Sequence, residues 1–507
     1  MTVSRGKNWA LSVLAILILL AGCQKSTDRA PPFDTGKVYT GADGRAYHLE
    51  RLEKKPGGYS WVNKTMLRYY PHGFYEVERE DDAYFYVRQY VPVKVEPPAP
   101  EHAPPAVLVA LPPSESFSWQ PFDAGLPRAG QWRDNFAVAD MNGDGFPDLV
   151  FAPARKAPTK SIVFLGNGKG KWTPWTQAHY PAVPYDYGGA VVADFNADGK
   201  QDIALGMHLL GLAVLSGDGK GGFSDYSNGL PRKKSGGRPT LSSRNVLACD
   251  WNGDGKPALV ALNEHMGVDP EHGMHDGVVV FLNDKGTWAA AVNEAPLQHA
   301  VLIAIDASAK RLAVIEAPTR EGSVRISERR AGAWSLHDVG GFPKDALLTA
   351  FAIGDAGGDA DNSTFVVSYR GYVMSAWWTY VDLVRQRDGQ WQRSPLSAQR
   401  DAAGVSALAF AKLRPGAFRD IVVLDEDGET SILRQANADD AYTRDRSLPA
   451  PPWRAGCQGY GLRTVDLDKD GIDEIVVSFA GEGTALTKAA QCTSGGAVQA
   501  FKISSKP

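Results

Sequence analysis

Short apolar runs recur along most of this chain, and each follows an acidic turn that contains glycine. Asp140-Met-Asn-Gly-Asp-Gly-Phe-Pro-Asp148 leads into Leu149-Val150-Phe151, and Asp194-Phe-Asn-Ala-Asp-Gly-Lys-Gln-Asp202 leads into Ile203-Ala204-Leu205. Asp250-Trp-Asn-Gly-Asp-Gly-Lys-Pro-Ala258 leads into Leu259-Val260, and Asp466-Leu-Asp-Lys-Asp-Gly-Ile-Asp-Glu474 into Ile475-Val476-Val477. Three eroded copies begin near Asp306, Asp355 and Lys412, ahead of Leu312-Ala313-Val314, Phe365-Val366-Val367 and Ile421-Val422-Val423. From residues 140, 194, 250, 306, 355, 412 and 466 the steps are 54, 56, 56, 49, 57 and 54. Apolar runs this short, bounded by turn signals, read as buried strands rather than helices. Seven such units of about 50 residues predict an all-β, seven-bladed β-propeller over residues 116–507.

An aromatic after a second Gly- or Asp-rich turn marks the outermost strand of six units: Trp172, Phe223, Trp288, Trp334, Trp391 and Tyr442. The seventh unit, from Asp466 to Pro507, is too short to hold one. A spare copy, Phe117-Ser-Trp-Gln-Pro-Phe-Asp-Ala-Gly-Leu126-Pro127, precedes the first unit. An N-terminal strand is therefore expected to complete the last blade, which leaves only short, protected edges.

Before the repeats the pattern changes. Arg5 and Lys7 precede an apolar run from Trp9 to Gly22 that fits a secretory signal better than a membrane span. It ends Leu20-Ala21-Gly22-Cys23, which resembles the lipobox of bacterial lipoproteins. That resemblance implies a signal peptide over 1–22 and a diacylated Cys23 as the mature N-terminus, anchored to a membrane rather than spanning it. Gln24 leans toward the outer membrane, periplasmic or surface side. Residues 23–36 read as a polar tether. Residues 37–93 read as a small β module, with a hairpin turn at Thr40–Gly44 and a strand at Tyr84–Val87. Residues 94–115 form a stiff, Pro-rich linker.

Charge removes one class of function. Fifty-four Lys and Arg against 58 Asp and Glu give a net charge of −4, without the basic excess of a nucleic-acid binder. Gly and Pro make 86 of 507 residues (53 + 33), about 17% against about 12% on average, which favours turns and short strands. Four cysteines are too few for a disulfide-built fold.

The acidic turns carry candidate chemistry. Oxygen side chains at positions 1, 3, 5 and 9, a backbone carbonyl at 7 and glycine at 6 form a metal-loop spacing. An all-oxygen, mostly anionic set suits Ca²⁺ rather than zinc or copper. A strand follows at once and no helices flank the loop, so it is not an EF-hand. These repeats resemble the FG-GAP/VCBS family, the calcium-loop propeller repeats of integrin α-chain heads and many bacterial surface proteins. The resemblance covers residues 115 to 507 and implies calcium between the first two strands of a blade. Matched position by position, it implies about three sites: Asp140, Asn142, Asp144 and Asp148; Asp194, Asn196, Asp198 and Asp202; and Asp466, Asp468, Asp470 and Glu474. A weak or empty fourth would be Asp250, Asn252 and Asp254, where Ala258 removes a ligand. Lys412, Arg414 and Gly416 leave the sixth unit without metal. The implied role of the calcium is structural.

In the integrin-like arrangement the loops after the second and fourth strands lie on the opposite face, which the resemblance marks as the binding face. Candidates there are Trp132, Arg133, Tyr185, Tyr187, Arg244, Tyr372, Trp377, Trp453 and Arg454, because aromatics with Arg suit sugars or protein partners. The loop from Glu264 to Asp276 holds His265, His272 and His275, with His208 in the equivalent loop one unit earlier. These histidines suit a transition metal or acid–base work; the plainer reading is a polar surface loop. Cys457 and Cys492 flank the seventh blade, and export permits a disulfide between them. Cys249 reads as a buried free thiol. The expectation is a lipid-anchored envelope protein, with a calcium-stabilised propeller that binds a glycan or another envelope protein. The alternative is an enzyme of the polysaccharide lyase or sugar dehydratase type, using His208, His265, His272, His275, Tyr187 and Arg244. No catalytic residue is identified.

Overall fold

The computed structural model describes residues 38–40, 46–53, 75–80, 84–90, 115–155, 162–232, 241–264, 277–291, 294–319, 322–343, 346–354, 363–373, 376–387, 390–416, 419–436, 441–445, 448–481, 492 and 494–503. Cys23 and the loop with His265, His272 and His275 lie outside these residues. The chain divides into two units, Met1–Glu101 and His102–Pro507. In the first, strands Val38–Thr40, Ala46–Glu53, Tyr75–Glu80 and Tyr84–Tyr90 form one antiparallel sheet, in which the fourth strand lies between the second and third. Among the described residues no helix is long and apolar enough to cross a membrane.

The second unit is a seven-bladed propeller of four-stranded antiparallel sheets. In six blades the four strands are consecutive in the chain. The innermost strands are Ala137–Ala139, Gly188–Ala193, Asn245–Asp250, Ala300–Ile305, Leu347–Gly354, Val405–Ala411 and Gln458–Val465. They line a central channel of about 1360 Å³.

The second strands show why their apolar runs are unbroken rather than alternating. Each is sandwiched between two neighbouring blades, so both of its faces are buried. Leu149 and Phe151 enter an apolar layer shared with Leu467 and Val476 of blade seven, whereas Val150 enters one shared with Ile203 and Leu205 of blade two. Ala204 then joins Leu259 and Ala261 of blade three. The same alternation continues around the ring through the remaining layers. A fully buried Leu or Phe contributes roughly 1.5–3 kcal/mol, so no blade is stable without both neighbours.

The marker aromatics join the blades at their outer edge. Trp172 begins the outer strand of blade one, and its indole N–H donates to Phe122 O at 2.8 Å. Trp288 repeats this toward Tyr226 O at 2.8 Å. The segment before each indole passes so close that only glycine fits. Gly125 and Gly229 have φ of +96° and +90°, and a Cβ at either would lie 2.2 Å from the carbonyl oxygen of Trp172 or Trp288.

The ring closes as the repeat count requires. Trp119–Pro121 forms the outer strand of blade seven, with Trp119 opposite Ile503 and Pro121 opposite Phe501. Phe117 N donates to Asp445 of blade six at 2.8 Å, and Arg434 lies 4.2 Å from the Phe117 ring. Cys457 and Cys492 are disulfide-bonded, tying the entry of the innermost strand to the hairpin that follows the second strand. Cys249 is a buried free thiol whose pKa burial pushes up to about 12.

The bridge spans 35 residues, which by loop-closure entropy stabilises the fold by roughly 3–4 kcal/mol. Cys457→Ser with Cys492→Ser is expected to lower the urea-unfolding free energy by that amount. Added reductant should lower the parent protein equally and leave the double variant unchanged.

Candidate functional site

The antiparallel order of each blade fixes two chemically different faces. Turns between the first and second strands lie on one face; connections after the second and fourth strands lie on the other.

On the first face the Asp turns are held by their own backbone. Asp140 Oδ1 accepts from Gly143 N at 2.7 Å and Asp144 N at 3.2 Å, and its Oδ2 accepts from Gly145 N at 2.8 Å. Asp194 receives Asp198 N and Gly199 N in the same way, and Asp466 receives Asp470 N and Gly471 N. Position 4 as well as position 6 adopts positive φ, including Ala197 at 60° and Lys469 at 65°. The ninth residue has a second use. Asp148 is fully buried and accepts Met141 N and Gly166 N, both at 2.8 Å, which ties the turn to the end of the third strand. Asp202 does the same with Phe195 N and Gly217 N.

The Asp and Asn oxygens at positions 1, 3, 5 and 9 of blades one and two are of the type calcium takes, while the three carboxylates that lie within 4.8 Å of one another among the described residues are those of blade seven. Burial, opposed by amide donors and reinforced by Asp144 and Asp140, pushes the Asp148 carboxyl up to about 7. Among the described residues no side-chain cation pairs with Asp140, Asp144, Asp194 or Asp198. Blade seven differs. Asp466, Asp468 and Asp470 bring carboxylate oxygens within 4.8 Å of one another, but Lys502 is among them. Its Nζ contacts Asp468 and lies 2.7 Å from Asp470 Oδ2 and 3.7 Å from Glu474 Oε1. In blade three Asp250 receives Asp254 N and Gly255 N at 3.1 Å, and Ala258 occupies the ninth place. In blade six Arg414 pairs with Asp420, in keeping with a turn that lacks acids at positions 1, 3 and 5.

On the opposite face, polar side chains from blades one, two and three meet. Glu264, at the end of the second strand of blade three, is their hub. It accepts from Ser242 and from Arg244 Nε, and lies 3.1 Å from His208 Nδ1. Burial alone would raise the Glu264 carboxyl, but His208, Arg244 and Ser242 together lower it to about 2. The other end of Arg244 lies 3.5 Å from Asp134 Oδ1. Asp134 stands at positive φ, 67°, and its Oδ2 is buried with no hydrogen-bond partner among the described residues. Burial, resisted by Arg244, raises this carboxyl to about 6. Tyr187 faces His208 with ring centroids 5.0 Å apart, and Arg155 lies 5.5 Å from the Tyr187 ring. Arg133 lies 5.3 Å from the ring of Tyr460, which blade seven contributes.

The cluster reaches the channel through Asn135 and Arg463. Asn135 Nδ2 donates to Asn245 Oδ1 at 3.0 Å, across the Gly188–Gly189 entry of blade two. Arg463 Nη1 donates to Asn135 Oδ1 at 3.3 Å and Leu462 O at 2.9 Å. No carboxylate pairs with Arg463 among the described residues, and desolvation lowers its pKa to about 10.

Of the residues named from the sequence, Arg133, Tyr187, His208 and Arg244 meet at this mouth. Three others lie elsewhere. Trp132 is 6% exposed and packs edge-on against Phe151 and Phe164. Tyr185 donates to Pro181 O at 3.0 Å and packs in the layer between blades one and two. Arg454 is buried over Phe479 and donates to Gly428 O. In each case a residue near a loop apex is drawn into the apolar layer between blades. Trp453 packs against the layer between blades six and seven, with Arg128 5.6 Å from its ring. Tyr372 and Trp377 stand apart on the long hairpin of blade five, with rings 5.5 Å apart and Tyr372 47% exposed. Asp134, Asn135, Arg155, Tyr460 and Arg463 were not singled out from sequence, because none lies in a motif.

Residues 140–205 match the family model described as FG-GAP-like repeat. A search of curated proteins gave no match. Among solved structures the chain is similar to YCF48 bound to D1 peptide, at 14% identity and a TM-score of 0.41, over 78% of this chain and 98% of that one. It is also similar to the α-L-arabinofuranosidase Arb93A from Fusarium graminearum in complex with an iminosugar inhibitor, at 13% identity and a TM-score of 0.35, over 76% and 97%. Likeness at these values carries nothing about function.

The depressed Glu264 carboxyl has a consequence for stability. Its folded value lies below its ordinary 4.5, so its contribution is present above pH 4.5 and lost as pH falls toward 2. Glu264→Gln is expected to cost about 3 kcal/mol at pH 7 and much less at pH 3. Urea unfolding of both proteins at the two pH values checks this.

Proposed function

We propose that this FG-GAP-like repeat propeller is an envelope binding module that takes an anionic partner at the mouth of its channel. The observation that carries this is Arg463, a desolvated guanidinium that faces the channel with no carboxylate partner among the described residues. A buried cation without a counter-ion is costly unless something supplies the charge. Among the described residues Arg133, Arg155 and Arg244 stand near the same mouth as the carboxylates Asp134 and Glu264. Tyr187 and Tyr460 offer ring faces beside the guanidiniums. Arg with Tyr suits a carboxylate-bearing sugar, with bidentate pairing to the carboxylate and stacking on the ring. An acidic segment of an envelope protein shares that chemistry. Cys23 would tether the module to a membrane, calcium in blades one and two would pin the opposite face, and neither takes part in recognition.

A second reading rests on Asp134. A buried carboxyl poised near neutrality beside a guanidinium is a candidate general base, of the kind a β-eliminating lyase needs at a carbon next to a carboxylate.

Binding of a polyuronate and of a neutral glucan, followed by calorimetry, separates these ideas. The polyuronate is expected to bind, to weaken as salt rises, and to lose at least tenfold in affinity in Arg463→Met and in Arg244→Met. Equal binding of the neutral glucan would refute an anion site. Slow appearance of an unsaturated uronate, abolished in Asp134→Asn, would favour the enzyme.

A further inference from the structure

Among the described residues, three blades carry a cation of the chain's own at the turn where calcium would sit. In blade four Arg311 Nε lies 3.4 Å from Oδ2 of Asp306, the first acid of that turn. In blade six Arg414 Nη2 lies 3.1 Å from Oδ1 of Asp420, the ninth-position acid. In blade seven the ammonium of Lys502 lies among Asp468, Asp470 and Glu474. Blades four and six have lost most of their acids, so their arginines replace a site already eroded. Blade seven has kept all four of its acids, and its lysine is the informative one.

Charge and register both single out Lys502. The turns of blades one and two hold three carboxylates and one Asn each: Asp140, Asp144 and Asp148 with Asn142, and Asp194, Asp198 and Asp202 with Asn196. Blade seven holds Asp468 in the place of that Asn, and so has one more negative charge. The extra charge is matched by Lys502, 19% exposed at its side chain. Phe501 pairs with Ile475 as Phe164 pairs with Leu149 and Leu215 with Ile203. The residue that follows is Lys502 in blade seven, but Leu165 and Ser216 in blades one and two. Among the described residues only the closing blade therefore aims an ammonium into a complete acid turn. Glu474 Oε1, buried and without a hydrogen-bond partner among the described residues, lies 3.7 Å from it.

We propose that Lys502 is a built-in substitute for calcium in the closing blade, so that this turn is held without metal while the turns of blades one and two bind a divalent cation. The last clause rests on the calcium reading of those two blades; the first does not. A tethered ammonium is always present at high effective concentration, and an incoming ion must break its contacts with Asp468 and Asp470 before it gains their oxygens. The closing blade is assembled from two distant stretches of chain, Gln458–Ile503 and Trp119–Pro121. A turn that carries its own cation lets the ring shut independently of metal supply.

Calcium stoichiometry of the purified full chain, by equilibrium dialysis and by calorimetry, tests this. The parent protein is expected to bind two ions. Lys502→Met should bind one more than the parent, and Lys469→Met, in the same turn, should match the parent. In chelator Lys502→Met should melt below the parent, and added calcium should recover it. An unchanged count in folded Lys502→Met overturns the proposal. If that variant does not fold, Asp470→Asn in the parent, the position that Asp144 holds in blade one, decides the same point: an unchanged count supports Lys502 as the cation, and a loss of one ion overturns it. Asp144→Asn reports separately on blade one. If it removes no ion, the calcium reading fails there, whatever Lys502 does.

Discussion

Everything in the propeller depends on burying both faces of every blade at once. Leu149 and Val150 are adjacent in the chain yet belong to different apolar layers, one against blade seven and one against blade two. A blade with one neighbour would leave half of each second strand in water. The ring must therefore close, and the chain closes it with Trp119–Pro121, a strand laid down before the first blade is made. The disulfide between Cys457 and Cys492 and the contacts of Phe117 with Asp445 and Arg434 gather around the same seam. Closure joins residues nearly four hundred positions apart, so it carries a large loop-entropy term that local propensity cannot offset.

Closure also sorts charge. Antiparallel blades put every Asp turn on one face, where side-chain oxygens first satisfy the amides of their own turn. The ninth acid goes inward instead, and joins the turn to the third strand. The negative charge that remains needs a partner. Arg311, Arg414 and Lys502 provide one from the chain in three blades, whereas the described residues provide none to the first and fifth positions of blades one and two. Among the described residues the face is thus divided between turns paired with a cation of the chain and turns without one.

The other face has a different balance. Glu264 is satisfied by Ser242, Arg244 and His208, and its charge is stabilised. Asp134 and Arg463 are each left with capacity, one oxygen and one guanidinium, in surroundings that disfavour unpaired charge. Rigid strands hold both, because Asp134 lies just before the innermost strand Ala137–Ala139 and Arg463 lies within the innermost strand Gln458–Val465. A site built on such strands is preorganised, and its polar groups lose little freedom when a ligand arrives.

The sequence by itself determined the blade count, the order of elements, the closing strand, the Asp turns and the outer aromatics, because each follows from local spacing. Period and turn chemistry are short-range properties, and seven repetitions make them legible. It also pointed to Arg133, Tyr187, His208 and Arg244, since loop residues of these types stand out against an apolar repeat. Only the tertiary structure decided that Trp132, Tyr185 and Arg454 are packing residues, because whether a loop aromatic faces solvent depends on the blade beside it. It alone brought Lys502 to Asp468 and Asp470, across a register that spans two strands, and Arg463 to Asn135, 328 residues apart in the chain. Those contacts depend on where the ring places one blade against another, and no local pattern encodes that distance.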